Sequence, residues 1–120
     1  MRLFVAVQLS ADFIKALEEL QKRIRTASIT GRFRDPAGLH LTLAFIGEWP
    51  DNISNVLPPV RHPFRITLSH LGVFSAANVL WAGIRPSEEL EGLALTVRNC
   101  LDGEGIPFDR KNFCPHITLL

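Results

Sequence analysis

The stretch His40-Leu41-Thr42-Leu43 returns at the far end of the chain as His116-Ile117-Thr118-Leu119. Each copy is short and rich in branched apolar residues, which marks a β-strand whose alternate side chains point to opposite faces. In the first copy His40, Thr42 and Ala44 fall on one face and Leu41, Leu43 and Phe45 on the other; in the second, His116 and Thr118 lie opposite Ile117 and Leu119. A strand that commits its apolar residues to a core displays an imidazole beside a hydroxyl on its other side. Two such strands set together build a polar site with two histidines.

A helix precedes each copy. Ser10 is the expected N-cap of the first, with Asp12 in the first turn; Phe13, Leu17, Leu20 and Ile24 form its apolar stripe to about Ala27, and Glu18–Lys22 and Glu19–Arg23 its i,i+4 pairs. Ser87 caps the second, whose stripe is Leu90, Leu93, Ala94, Val97 and Leu101, and Gly103 stands where a C-terminal glycine is expected. Strands are expected over residues 2–8, over 64–68 with a loose continuation through Val73 and Phe74, and over 79–84, the last two joined by a hairpin-length connection at Ser75–Asn78. Residues 48–63 carry Pro50, Pro58, Pro59 and Pro63 and admit one or two helical turns around Ile53, Val56 and Leu57. The order is strand, helix, strand, irregular piece, strand, strand, helix, strand. That is an α+β plan, and a duplication explains it most simply: two similar lobes, each presenting its motif to a shared cleft.

The bulk properties allow this. A chain of 120 residues is expected to form one domain over residues 1–120, its 47% hydrophobic and 21% charged composition excludes a wholly disordered chain, and a net charge of +1 leaves any phosphate-bearing partner to be held locally. Cys100 and Cys114 fit no disulfide framework or CxxC motif and read as reduced, mostly buried thiols of a cytoplasmic protein. The opening Arg2-Leu3-Phe4-Val5-Ala6-Val7 reads as a strand rather than a signal peptide, and no stretch reaches the roughly 18 apolar residues of a membrane span.

A free imidazole titrates near about 6.5, so of two facing histidines one can be neutral while the other is protonated. That pair suits in-line phosphoryl chemistry, with one ring as base and the other as acid. A threonine two residues on, on the same face, can donate to a non-bridging phosphate oxygen. No metal is needed. A lone His-x-Thr is ordinary; two copies on separate apolar strands, each behind a helix, are not. A zinc site using Cys114 with the histidines is the rival, but it leaves both threonines without a role. Arg32 and Arg34, in the loop feeding the first motif, are candidate phosphate ligands. His62 and His70 read as structural or solvated, and Asp109-Arg110-Lys111 as a solvated turn from which Arg110 or Lys111 could reach a phosphate.

The paired motifs, the opening Arg2–Val7, the run Leu39-His40-Leu41-Thr42-Leu43-Ala44-Phe45-Ile46-Gly47-Glu48 and the run Phe113-Cys114-Pro115-His116-Ile117-Thr118-Leu119 resemble the 2H phosphoesterases, most of all their RNA 2',3'-cyclic phosphodiesterases, also called 2'-5' RNA ligases. The resemblance implies a bilobal α+β fold with antiparallel sheets, flanking helices and a central cleft, the lobes interleaved along the chain and the C-terminal lobe shortened. It implies hydrolysis of RNA or nucleoside 2',3'-cyclic phosphate ends to 2'-phosphates without metal or cofactor, with weak reversible 2'-5' ligation. His40 and His116 become acid and base, and Thr42 and Thr118 the substrate-binding donors. Members carry a longer helix after the first motif and further strands after the second, so self-association is expected to cover the exposed edges. The competing expectation is a shortened, non-catalytic module that binds a nucleotide or RNA end.

Overall fold

The computed structural model describes residues 1–27, 31–59, 63–74 and 79–120. Strand β1 spans Arg2–Val7 and helix α1 Ala11–Thr26; a single 3₁₀ turn at Pro36–Gly38 leads into β2, Leu41–Glu48. β3 (Leu68–Phe74) and β4 (Val79–Ile84) follow, then α2 (Glu88–Gly103) and β5 (His116–Thr118). β1 and β2 form one antiparallel sheet, and β3, β4 and β5 another in that order.

Local chemistry places the two helices alike. Each has 16 residues and a serine cap, the Ser10 and Ser87 hydroxyls accepting from the backbone N–H groups of Phe13 and Leu90, both at 3.2 Å. At matching distances from their caps stand Gln21 and Arg98, and each reaches across to the motif strand of the other repeat. Gln21 Nε2 donates to the Leu119 carbonyl at 3.1 Å and to that of Arg34 at 2.9 Å; Arg98 Nε donates to the Leu43 carbonyl at 3.2 Å. Leu43 and Leu119 are the fourth residues of the two motifs, so the two latches are equivalent. This is the duplication expressed in hydrogen bonds.

The apolar alternates of both motifs meet in one core. Leu41, Ile117 and Leu119 are fully buried with Leu17, Leu90 and Leu101, and β2 lies against β5. Gln21, itself 5% exposed, ties this seam beside a bond from the Arg34 N–H to the Leu119 carbonyl. Gln21→Met keeps the volume but withdraws a donor from two carbonyls; we expect a loss of about 1–3 kcal/mol, read from the midpoint of urea unfolding.

Four expectations are corrected. Facing in β2 changes after Thr42: Ala6 pairs with Thr42 but Val5 with Ala44, so Leu43 is an extra residue, a bulge. Ala44 therefore joins Leu43 in the core, at 1% exposed, and Phe45 turns outward. The paired strand expected over 64–68 begins instead at Leu68 and runs through Phe74; before it, the Thr67 carbonyl accepts from Arg85 N–H at 2.7 Å but no ladder forms. Glu19 pairs with Lys22, at 3.6 Å, rather than with Arg23; Glu18–Lys22 is present at 3.7 Å. Helix α2 still includes Gly103, and the left-handed residue after it is Gly105, at φ +68°. The expected connection Ser75–Asn78 lies outside the described residues.

Among the described residues β1 pairs only with β2, whereas β4, its counterpart in the second repeat, also pairs with β3. Beside β1 opens a groove of about 880 Å³ whose apolar lining includes Val5, Val7, Leu57, Phe64 and Ile66. Of the first motif only Leu43 lines it; His40, Thr42, His116 and Thr118 do not.

Candidate active site

His40 stands just before β2, held by the turn at Pro36–Gly38. The Asp35 carboxylate accepts from Ala37 N–H at 3.0 Å and starts that turn, which brings the Gly38 carbonyl within 2.8 Å of His40 Nδ1. At the second motif His116 Nδ1 lies 2.7 Å from the Cys114 carbonyl. In both cases the partner is the carbonyl two residues upstream. A carbonyl only accepts, so each Nδ1 carries the hydrogen. Nε2 is left on both rings as the nitrogen free to take or give a proton.

Since β2 and β5 are neighbours and both send their leucine and isoleucine alternates into the core, both His-x-Thr pairs stay on the accessible side. His40 is exposed, and Thr42, His116 and Thr118 are half-buried. Aromatic rings flank each imidazole. Phe4 of β1 stacks on His40, centroids 4.7 Å apart and planes 25° apart. Phe74 meets His116 edge-on at 5.3 Å, and Trp81, the residue across from Thr118 in the β4–β5 ladder, lies 5.8 Å from His116. Trp81 in turn rests on Gly72, where an added Cβ would fall 2.2 Å from the indole.

Phe4, Phe74 and Trp81 were invisible as site residues in the sequence, because their facing follows from ladder register rather than from any motif. His70 is likewise on this face of β3, 5.4 Å from Trp81, with Nδ1 at 2.8 Å from the Ser69 hydroxyl. His62 lies outside the described residues. Arg32 and Arg34 are exposed, and the Arg34 backbone is tied to the end of the second motif through Leu119. Among the described residues no three His, Cys, Asp or Glu side chains gather as a metal-binding group. The cysteines, expected to be mostly buried, are not: Cys100 is half-buried and Cys114, which gives His116 its backbone carbonyl, is exposed.

Asp109, Arg110 and Lys111 are exposed, as a solvated turn requires, and both cations have acidic partners. The Arg110 guanidinium forks onto Asp102 at 2.6 and 3.1 Å and lies 4.1 Å from the Phe108 ring centroid. Lys111 pairs with Asp109 at 3.9 Å. The hydrogen bond from Arg110 holds the Asp102 carboxyl below its ordinary value, and Asp102 raises Arg110 in return. A lowered carboxyl favours the fold above its unfolded titration range, and that contribution is lost as pH falls through the lowered value. Both groups lie in water, so the effect on stability is small. Arg110→Met is expected to move the Asp102 titration up toward the ordinary carboxylate range, followed by NMR, and to leave turnover unchanged.

Both motif histidines keep Nε2 free, and each is followed two residues on by a threonine, on corresponding strands of two α+β repeats. Comparison with known proteins gives the class. Residues 7–81 match the family model for LigT like phosphoesterases. The chain is 32% identical to the RNA 2',3'-cyclic phosphodiesterase of Aquifex aeolicus over 98% of its own length and 69% of that protein, and 33% identical to the protein of that name from Escherichia coli K12, over 99% and 70%. Among solved structures it superposes on E. coli LigT complexed with 3'-AMP with a TM-score of 0.79 at 31% identity, over 99% of this chain and 71% of that one. The chain belongs to the LigT-like phosphoesterase family and is an enzyme of that family.

Proposed function

We propose that the protein hydrolyses 2',3'-cyclic phosphate ends of RNA or of nucleosides to 2'-phosphates, without metal or cofactor. One observation carries the reading: both motif histidines are pinned through Nδ1 to a carbonyl, which leaves two Nε2 atoms for one in-line displacement. In the step proposed, His116 Nε2 takes a proton from water as its oxygen bonds to phosphorus. The bond from phosphorus to the 3'-oxygen breaks, and the His40 imidazolium supplies the proton that oxygen needs. Thr42 and Thr118 donate to the non-bridging oxygens, where charge accumulates. The rings finish with protonation states exchanged and reset through solvent. Run forward with a 5'-hydroxyl in place of water, the same steps form a 2'-5' linkage, and in reverse they return the cyclic phosphate and the 5'-hydroxyl.

The substrate class is supported by the names of the relatives and by the nucleotide held in the E. coli structure. The test is incubation with a nucleoside 2',3'-cyclic phosphate in EDTA. Accumulation of the 2'-phosphate is expected; unchanged substrate, or activity abolished by chelation, overturns the proposal, and binding without turnover would make the protein a module for nucleotide ends. RNA fragments with cyclic phosphate and 5'-hydroxyl ends separate hydrolysis from ligation.

The edge of β1 left unpaired among the described residues and the apolar groove beside it support self-association, which sedimentation equilibrium would reveal as a dimer. Two free cysteines support a reducing, cytoplasmic setting, and no helix among the described residues is long and apolar enough to cross a membrane.

A further inference from the structure

We infer that His70 holds a second phosphate of an RNA strand, beyond the phosphate that the two motif histidines address. The inference rests on the proposed reaction for the place of that first phosphate, and adds a group that tells an RNA strand from a single nucleotide.

A bulge in β3 aims this side chain. Leu68 pairs with Ile84 and Leu71 with Ala82, so Ser69 and His70 together stand opposite Gly83. Neighbours on a regular strand point to opposite faces. Here the Ser69 hydroxyl lies 2.8 Å from His70 Nδ1, which puts both side chains on one face. A Cβ added at Gly83 would fall 3.0 Å from His70 Cε1, and Gly83 is the partner of His116 in the next ladder. His70, Gly83 and His116 therefore form one row across three strands, and the residue between the two imidazoles has no side chain. Their backbones are two strand spacings apart, roughly 10 Å. Both rings meet the same indole, Trp81.

His70 differs from the motif histidines in its hydrogen-bond partner. His40 and His116 face carbonyls, which only accept, so their Nε2 atoms are bases. His70 faces a hydroxyl, which can donate to Nδ1 and leave the hydrogen on Nε2. In that state the exposed ring is a donor; once protonated it donates from both nitrogens, with Ser69 as acceptor. Either state suits an anion at Nε2. A phosphate contact reads no sequence, so the subsite takes any RNA strand.

The order of strands favours one source for that phosphate. β5 has β2 on one side and β4, then β3, on the other, so His40 and His70 stand on opposite sides of His116. In an in-line displacement the attacking oxygen enters opposite the leaving one, here on the side of His116. What extends toward His70 arrives with the nucleophile. Water brings nothing there, whereas a strand with a 5'-hydroxyl brings its next phosphate one sugar away.

The test is calorimetric, with two pairs of probes that differ by one phosphate. Adenylyl-2',5'-adenosine with and without a terminal 3'-phosphate represents the incoming strand. Adenylyl-3',5'-adenosine 2'-monophosphate against adenosine 2'-monophosphate represents the strand that bore the cyclic end. All four are titrated into wild type, His70→Ala, His70→Phe and His70→Lys. In wild type the added phosphate of the first pair is expected to tighten binding about three- to ten-fold. His70→Ala and His70→Phe should erase that gain and His70→Lys should keep it, while probes without the added phosphate bind all four proteins alike. His70→Phe keeps a ring beside Trp81 and Gly83 should the alanine variant fail to fold. A gain confined to the second pair, and lost in the same variants, keeps the subsite and gives it to the strand with the cyclic end. The inference is overturned if neither pair shows a gain in wild type, if the gain survives in His70→Ala and His70→Phe, or if His70→Lys loses it too. It is also overturned if probes lacking the added phosphate weaken equally, in which case His70 only props its neighbours. Absence of hydrolysis in the EDTA assay, with these affinities as expected, counts against the proposed reaction and leaves the subsite standing.

Discussion

His116→Ala is expected to lower kcat/KM on a nucleoside 2',3'-cyclic phosphate by about 10²–10⁴-fold, and His40→Ala by a similar factor, each having lost one proton transfer. The fold should survive both. His40 is exposed and His116 half-buried, and neither belongs to the core, so far-UV circular dichroism and the unfolding midpoint are expected to stay near wild type. The losses should not add. Once one ring is gone the reaction no longer proceeds by the paired route, and the double variant should be only slightly slower than either single one. The pH dependence discriminates further. Wild type should give a bell, since kcat/KM falls when the base is protonated and again when the acid is deprotonated, and each alanine variant should keep one limb. Full activity in either variant, or a wild-type profile with no bell, would remove that ring from the chemistry.

The second large effect concerns stability. Ile117 is fully buried in the same core as Leu41, Leu17, Leu90 and Leu101, and has His116 and Thr118 as its immediate neighbours on the opposite face. Ile117→Ala is expected to cost about 2–5 kcal/mol, the lost transfer energy of the side chain plus the cavity left behind, against about 0.5–1.5 for Ile117→Val. The seam between β2 and β5 has only a three-residue strand on one side, so loosening it also frees both residues of the second motif. Ile117→Ala should therefore lose turnover at temperatures where circular dichroism still reports a folded chain, and Ile117→Val should not. Equal unfolding midpoints for the two variants would mean that this residue does not carry the seam.

The motif pair, the helices with their serine caps and the order of elements could be read from the residues because each depends on local rules: alternation, helical periodicity and capping. Even the duplication follows from where Ser10 and Ser87 stand before their motifs. Misplaced elements share a cause. Nothing local announces the extra residue at Leu43 that moves Ala44 inward and Phe45 outward, since a bulge is a property of two strands in register. Residues 64–67 have the alternation of a strand but no neighbour among the described residues completes a ladder, so pairing begins at Leu68. The solvated turn at Asp109-Arg110-Lys111 was legible, but the partner of Arg110 was not, because Asp102 arrives from the last turn of α2.

The amino acids alone determined that two imidazoles and two hydroxyls would be displayed opposite apolar residues, since side-chain alternation is built into an extended backbone. Tertiary structure decided which nitrogen of each ring is free, which aromatic rings flank it, and that Gln21 and Arg98 tie each helix to the other repeat's motif. Those features join residues distant along the chain, and only packing and strand register bring such partners within bonding distance.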